Sequence, residues 1–127
     1  IPLMLDESLV GPDDIARLAE CGPRALAHLK IVKLGGPLSV MRAARQLREA
    51  GVGVMIGQMN EGALATALTV HCAMAAEPEH AELYGCYGLL DDVTSGVSYA
   101  GGKVSVRREP GLGVTVDARR GRVVMDE

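Results

Sequence analysis

The chain has 127 residues, a formal net charge of −3, three Tyr, and neither Trp nor Phe. A nucleic-acid surface needs basic stripes or stacking aromatics, and the absence of both argues against one. No run of about 18 apolar residues occurs, which argues against a membrane-spanning helix.

In chain order, Ile1 to Asp6 reads as a strand and Glu7 to Gly11 as a loop. Pro12 suits a first helical turn, and Asp13 and Asp14 suit the positive end of its dipole. Ile15, Leu18 and Ala19 form that helix's apolar stripe, and Gly22-Pro23 stops it. Ala27 to Leu34 is the next expected strand. Gly35-Gly36-Pro37 turns into a helix with Val40, Met41, Ala44 and Leu47 on one face, and Gly51 ends it. Val52 to Met59 is a third strand. Gly62 to Ala76 is an Ala-rich helix with Leu64, Leu68 and Cys72 at four-residue spacing, and Glu82 to Leu90 is a fourth strand-like run.

Strands alternating with helices of this length predict βαβ units and a parallel sheet. Two segments are expected: 1–90, the βα units, and 91–127, a turn-rich tail. In the tail Val104, Val106, Val114, Val116, Val123 and Val124 recur among polar residues, with turns at Gly101-Gly102 and Pro110-Gly111. Arg42, Arg45 and Arg48 recur at helical spacing and read as a solvated face. Cys21, Cys72 and Cys86 are an odd number without a C-x-x-C. That fits buried thiols in a reducing cytoplasm, and no secretory n-region and h-region opens the chain. His28, His71 and His80 have no ligand-like grouping and read as structural.

Two stretches carry the chemistry: LDES at Leu5–Ser8 and HLKIVKLGG at His28–Gly36. Each is an apolar run that ends in charge. A parallel strand buried on both faces is near-continuously hydrophobic. Charge inside or at the end of one is costly unless paired. In a βα barrel the C-terminal strand ends form the active-site face. An acid ending one strand and a lysine on the next therefore make a candidate site, with a salt bridge at the rim as the bland alternative.

LDES, the K-x-x-K-x-G-G pattern, GQMNEG at Gly57–Gly62, AELYG at Ala81–Gly85 and PGLGVTVD at Pro110–Asp117 lie in one order. Together they resemble the muconate-lactonizing subgroup of the enolase superfamily, over nearly the whole chain. The resemblance implies an α/β fold, the C-terminal half (strands five to eight) of a (β/α)7β TIM-like barrel. The β-hairpin tail would then return to a capping domain. A whole barrel takes about 250 residues, so the chain is expected to be part of a larger or split enzyme and inactive alone. Its expected partners are the remaining N-terminal half of the same enzyme, a small carboxylate substrate and further copies in a homo-oligomer.

By the same resemblance Asp6 is a ligand of a catalytic Mg²⁺, with Mn²⁺ as the variant, and Lys30 is the acid/base on the carbon beside a carboxylate. Such a base needs its pKa lowered, and burial with a nearby cation does that. Glu7 is expected to support the ligands or to be a loop group, as is Ser8. Lys33, three residues beyond Lys30, faces the other way on an ideal strand and reads as rim support. Gln58, Asn60 and Glu61 end the third strand and either cap the following helix or meet substrate. Glu82 resembles an eighth-strand glutamate near the substrate and reads as an acid or hydrogen-bond partner, or as a paired structural residue. Tyr84 is a candidate pocket residue, as is Tyr87.

For the reaction, Asn60 stands where an apolar residue is usual in the muconate enzymes. Glu82-Leu83-Tyr84 stands where dipeptide epimerases carry D-x-D. GQMNEG with ELYGCYGLLDD is most similar to the cis-3-hydroxy-L-proline dehydratase branch, which implies a lyase. A muconate-type cycloisomerase, an amino-acid or dipeptide epimerase, and an inactive scaffold that only pairs with its missing half are the alternatives.

Overall fold

The structure is a computed structural model and describes residues 1–121. The tail positions Val123 and Val124 lie outside the described residues.

Four parallel strands form one sheet in the order β1 (Leu3–Leu5), β2 (Ala25–Lys30), β3 (Gly53–Gly57) and β4 (His80–Ala81). Helices α1 (Pro12–Ala19), α3 (Pro37–Glu49) and α4 (Ala63–Ala76) connect them. Parallel strands require such crossovers, because a tight hairpin cannot bring the chain back in the same direction. Pro12 opens α1 as expected, and Asp14 Oδ2 accepts the Val10 and Gly11 amides at 3.1 Å each, the N3 half of a capping box.

Alternation along the strands separates two faces. Ala25, Ala27 and Leu29 of β2 and Val54 and Ile56 of β3 are buried against Leu9, Ile15, Leu18, Val40, Ala44 and Leu47. Leu26, His28 and Lys30 project to the opposite face. β1 pairs in register Leu5↔Ala27, so the next position, Asp6, comes level with His28. β3 pairs Lys30↔Gly57, and β4 pairs Ile56↔Ala81, so Glu82 comes level with Gly57. The polar residues of three strands thus meet on one face.

The structure changes two of the expected elements in kind. The apolar run to Leu34 is not all strand: β2 stops at Lys30, and Ile31–Leu34 is one helical turn, α2. Gly35, at φ 77°, ends that turn in the left-handed region, where glycine carries no Cβ penalty. Glu82 to Leu90 is not a strand. Only His80–Ala81 pairs with β3, and the chain then turns, with Tyr87 N–H donating to Tyr84 O and Leu89 N–H to Cys86 O. On the Ala-rich helix α4 the Leu64–Leu68–Cys72 row is fully buried only at Cys72. Leu64 is exposed, whereas Thr66, Ala67, Thr69, Val70, Cys72, Ala73 and Ala76 are buried. This helix packs on α3, the sheet and the tail at once, so small residues around most of its circumference go inside.

The tail forms two small antiparallel pairs. The hairpin β6 (Val97–Ala100) and β7 (Lys103–Val106) turns at Gly101-Gly102, as expected, and β5 (Thr94–Ser95) pairs with β8 (Thr115–Val116). Arg45 and Glu49 form an exposed pair on α3, consistent with a solvated arginine face. Of the thiols expected to be buried, Cys72 is, Cys86 is partly so, and Cys21 is exposed. Among the described residues no helix is long and apolar enough to cross a membrane.

Candidate active site

Asp6 follows the last residue of β1, and its carboxylate sits among three cationic or ionisable groups. Lys30 Nζ lies 2.9 Å from Oδ2, Lys33 Nζ lies 2.6 Å from Oδ1, and His28 Nδ1 lies 3.1 Å from Oδ2. Lys33 also donates to the Asp6 carbonyl. Lys30 reaches Glu7 Oε1 at 3.0 Å and the Met59 sulfur at 3.7 Å. Lys30 is only 5% exposed, whereas the side chain of Asp6 is 35% exposed. The group is therefore a buried pair of lysines below a partly open carboxylate.

The expectation that Lys33 points away from Lys30 is overturned. It assumed a continued strand. Because α2 is a helical turn, a residue three positions on comes back to the same side, and both lysines close on Asp6. Burial works to raise the Asp6 pKa. The hydrogen bonds from Lys33 and Lys30 and the charge of His28 outweigh it and bring the carboxyl down to about 2. Lys30 runs against expectation too. Burial works to lower its pKa, but the bonds it donates to Asp6 and Glu7 win and raise it. As the group stands, Lys30 holds its proton.

His28, read from the sequence as structural, is the residue that sequence reasoning missed. It is 5% exposed and lies between strands: Nδ1 faces Asp6, and Nε2 lies 3.5 Å from Glu82 Oε2 and has no hydrogen-bond partner among the described residues. Burial lowers its pKa despite the charge of Asp6. The available signal was its spacing, two residues before Lys30 on the same strand face.

The other candidates divide. Glu82 borders the group through His28, and its side chain is 39% exposed. Gln58 is buried, and its Nε2 donates to Thr66 Oγ1 at 2.9 Å, inside the protein rather than toward the open face. Asn60 is exposed. Glu61 Oε1 accepts the Met59 amide at 2.9 Å. None of these three caps α4. The cap is Asp92, 29 residues downstream, whose Oδ2 accepts Ala63 N–H at 2.5 Å. Tyr84 is exposed and lines a separate cleft of about 540 Å³ with Leu83, Tyr87, Tyr99 and Lys103.

As a metal site this chain is partial. Asp6 offers ionised, partly open oxygen donors with Glu7 beside it, the hard chemistry Mg²⁺ takes. Among the described residues no three His, Cys, Asp or Glu side chains come together to hold a metal ion. Asp6 fits as one donor, and the remaining donors would lie outside this set.

A parallel sheet with acid and lysine at adjacent strand ends defines a barrel-type α/β domain with its polar group at the C-terminal strand ends. The chain belongs to the enolase C-terminal domain-like family, whose sequence pattern matches residues 1–120. It is 33% identical over 122 residues to muconate cycloisomerase 1 of Pseudomonas putida, covering 94% of this chain and 32% of that enzyme. It is 33% identical over 116 residues to L-Ala-D/L-Glu epimerase of Clostridium acetobutylicum, covering 90% and 32%. The fold superposes on the muconate lactonizing enzyme of P. putida with a TM-score of 0.85 at 34% identity, covering 94% of this chain and 34% of that one. It also superposes on a dipeptide epimerase of Methylococcus capsulatus complexed with Mg ion, with a TM-score of 0.80 at 33% identity, covering 90% and 34%. The chain spans about a third of the length of the relatives it matches.

Proposed function

We propose that this chain supplies one wall of a site that removes the proton next to a substrate carboxylate, with Lys30 as the acid/base. The observation that carries the reading is the buried Lys30 ammonium held on Asp6 and Glu7 at the strand ends. Removing such a proton is hard because the carboxylate already bears charge, and preorganised positive charge is then the largest catalytic contribution. Asp6 would hold a divalent cation such as Mg²⁺ (or Mn²⁺), which would supply that charge. Lys33 keeps the Asp6 carboxylate ionised and in place, and Glu7 holds Lys30 from the other side. The remaining donors and a second acid/base come from the N-terminal half of the same enzyme, in a cytoplasmic homo-oligomer.

The finer reading is a lyase acting on cis-3-hydroxy-L-proline or a related cyclic amino acid. Lys30 takes the α-proton, the electron pair left on the α-carbon forms a double bond to C3 as the C3–O bond breaks, and the 3-hydroxyl leaves as water on a proton from an acid of the site, Lys30 itself or the second acid/base. Asn60 and Glu61 at the end of β3, Glu82 after β4 and Tyr84 are assigned to the ring ammonium and hydroxyl. Support for this reading is the polar character of that stretch, with Asn60 exposed and Glu82 part-open. Gln58 sits behind them. The second reading is a cycloisomerase or epimerase, favoured by the muconate and dipeptide relatives.

The test is the intact enzyme with cis-3-hydroxy-L-proline in D₂O. Dehydrated product supports the lyase. Deuterium incorporation at the α-carbon of another acid without dehydration supports the second reading. Lys30→Met should abolish α-exchange while the fold survives, and near-normal exchange in that variant would sink the assignment.

A further inference from the structure

The turn between β3 and α4 is held from the tail. Asp92 Oδ2 accepts Ala63 N–H at 2.5 Å, and Thr94 Oγ1 accepts Leu64 N–H at 3.2 Å. The same Asp92 is locked by Thr94, whose amide and hydroxyl both donate to Oδ1, at 2.8 and 2.6 Å. Arg120 grips this segment through the Asp92 carbonyl at 3.1 Å and through the Asp91 carboxylate. Gly62 leaves room for the carboxylate, since a Cβ there would lie 3.2 Å from Oδ1 and 3.3 Å from Oδ2. Burial raises the Asp92 pKa, but the bonds from Thr94 and Ala63 outweigh it and keep the carboxyl ionised. Helix α4 therefore has no cap from its own approach; its first donors are satisfied from a segment about thirty residues further on.

That turn touches Lys30, whose ammonium is also held by Asp6 and Glu7. Met59, just past β3, places its sulfur 3.7 Å from Lys30 Nζ. The rest of the turn is tied down. Met59 N–H donates to Glu61 Oε1, Glu61 N–H donates to Gly85 O at 3.3 Å, and the Glu61 carbonyl accepts the Thr66 hydroxyl at 3.4 Å. Its far end, Gly62–Leu64, is held by Asp92 and Thr94.

We propose that Asp92 and Thr94 are positioning residues for the candidate site: by capping α4 they fix the 58–62 turn, and with it the Met59 contact with Lys30. The functional meaning rests on Lys30 being the acid/base; the geometry does not. When the cap is lost, the turn opens more often and Lys30 Nζ becomes reachable, while Lys33, held by Asp6 from α2, is untouched.

The experiment is limited acetylation of the full chain near pH 8, read lysine by lysine by peptide mass spectrometry, with amide exchange followed in parallel. Exposed Lys103 serves as the reagent standard. In Asp92→Ala, Lys30 should label about fivefold faster, on the scale of losing one helix cap, with Lys33 unchanged and the Ala63 and Leu64 amides losing protection. Thr94→Ala should shift Lys30 in the same direction, and Thr94→Ser should restore the slow rate. If Asp92→Ala does not fold, the Thr94 pair carries the test. Faster exchange at Ala63 and Leu64 with Lys30 unchanged overturns the proposal. An equal rise at Lys30 and Lys33 also overturns it, because that is global loosening. An intact enzyme that shows no α-proton exchange while Lys30 responds as stated would fail the functional reading and leave this one standing.

Discussion

His28 occupies the space that a side chain at Gly57 would need. A Cβ built on Gly57 would lie 1.9 Å from His28 Nε2 and 2.9 Å from the two neighbouring ring carbons. The imidazole can lie between Asp6 and Glu82 only because β3 carries a glycine there. Gly57→Ala should therefore destabilise the fold by about 1–3 kcal/mol, the usual cost of overpacking. In a His28→Ala background the same substitution should cost much less, since the clash is gone. Denaturant melts of the four proteins measure this coupling, and an equal cost in both backgrounds would refute it.

Lys33 reaches Asp6 through both the carboxylate and the backbone carbonyl. The Asp6 pKa is depressed to about 2 from an ordinary 3.8. The sign follows from linkage: a depressed folded pKa gives stabilisation that is fully present above 3.8 and is lost as pH falls through about 2. In Lys33→Met the Asp6 midpoint should move up toward its ordinary value, and acid destabilisation should begin at higher pH. Carbon-detected NMR titration of the carboxyl reads the midpoint directly; a value still near 2 would mean that Lys33 does not hold it.

Glu79 extends the sheet with its side chain. Strand β4 pairs only at His80 and Ala81, and Glu79 Oε2 accepts the Val54 amide at 2.7 Å, one step before the ladder begins. The Val54 bond leads in lowering the Glu79 pKa below its ordinary 4.5. Its stabilisation is present above pH 4.5 and is lost as pH falls through the lower folded value. Glu79→Ala should cost about 1 kcal/mol, the net worth of one hydrogen bond, and should raise exchange at the Val54 amide. Unchanged protection at Val54 would show that the bond is not made in solution.

Mg²⁺ should bind this chain weakly. One carboxylate already shared by two ammonium groups is far from the six or so oxygens a hard cation takes. Calorimetric titration should show no affinity tighter than about millimolar, and EDTA should leave the melting temperature unchanged. Micromolar binding would mean that Asp6 and Glu7 recruit donors the present geometry keeps apart.

The sequence by itself determined the order of the first three βα units and the hairpin at Gly101-Gly102. It also placed Asp6 at the end of one strand and Lys30 on the next, because strand burial and the charges that interrupt it are written in local pattern. It could not show where β2 stops. An apolar run such as Ile31–Leu34 is compatible with strand or helix, and Gly35 with the pull of Asp6 on Lys33 decides for helix. Nor could it show that β4 is two residues long, since only pairing to Met55 and Ile56 defines it. The imidazole of His28 between two carboxylates, and the capping of α4 by Asp92, join residues far apart in the chain. Only the tertiary structure decides such pairs, because they depend on sheet register and on the path of the tail over α4, and no residue's neighbours in sequence encode either.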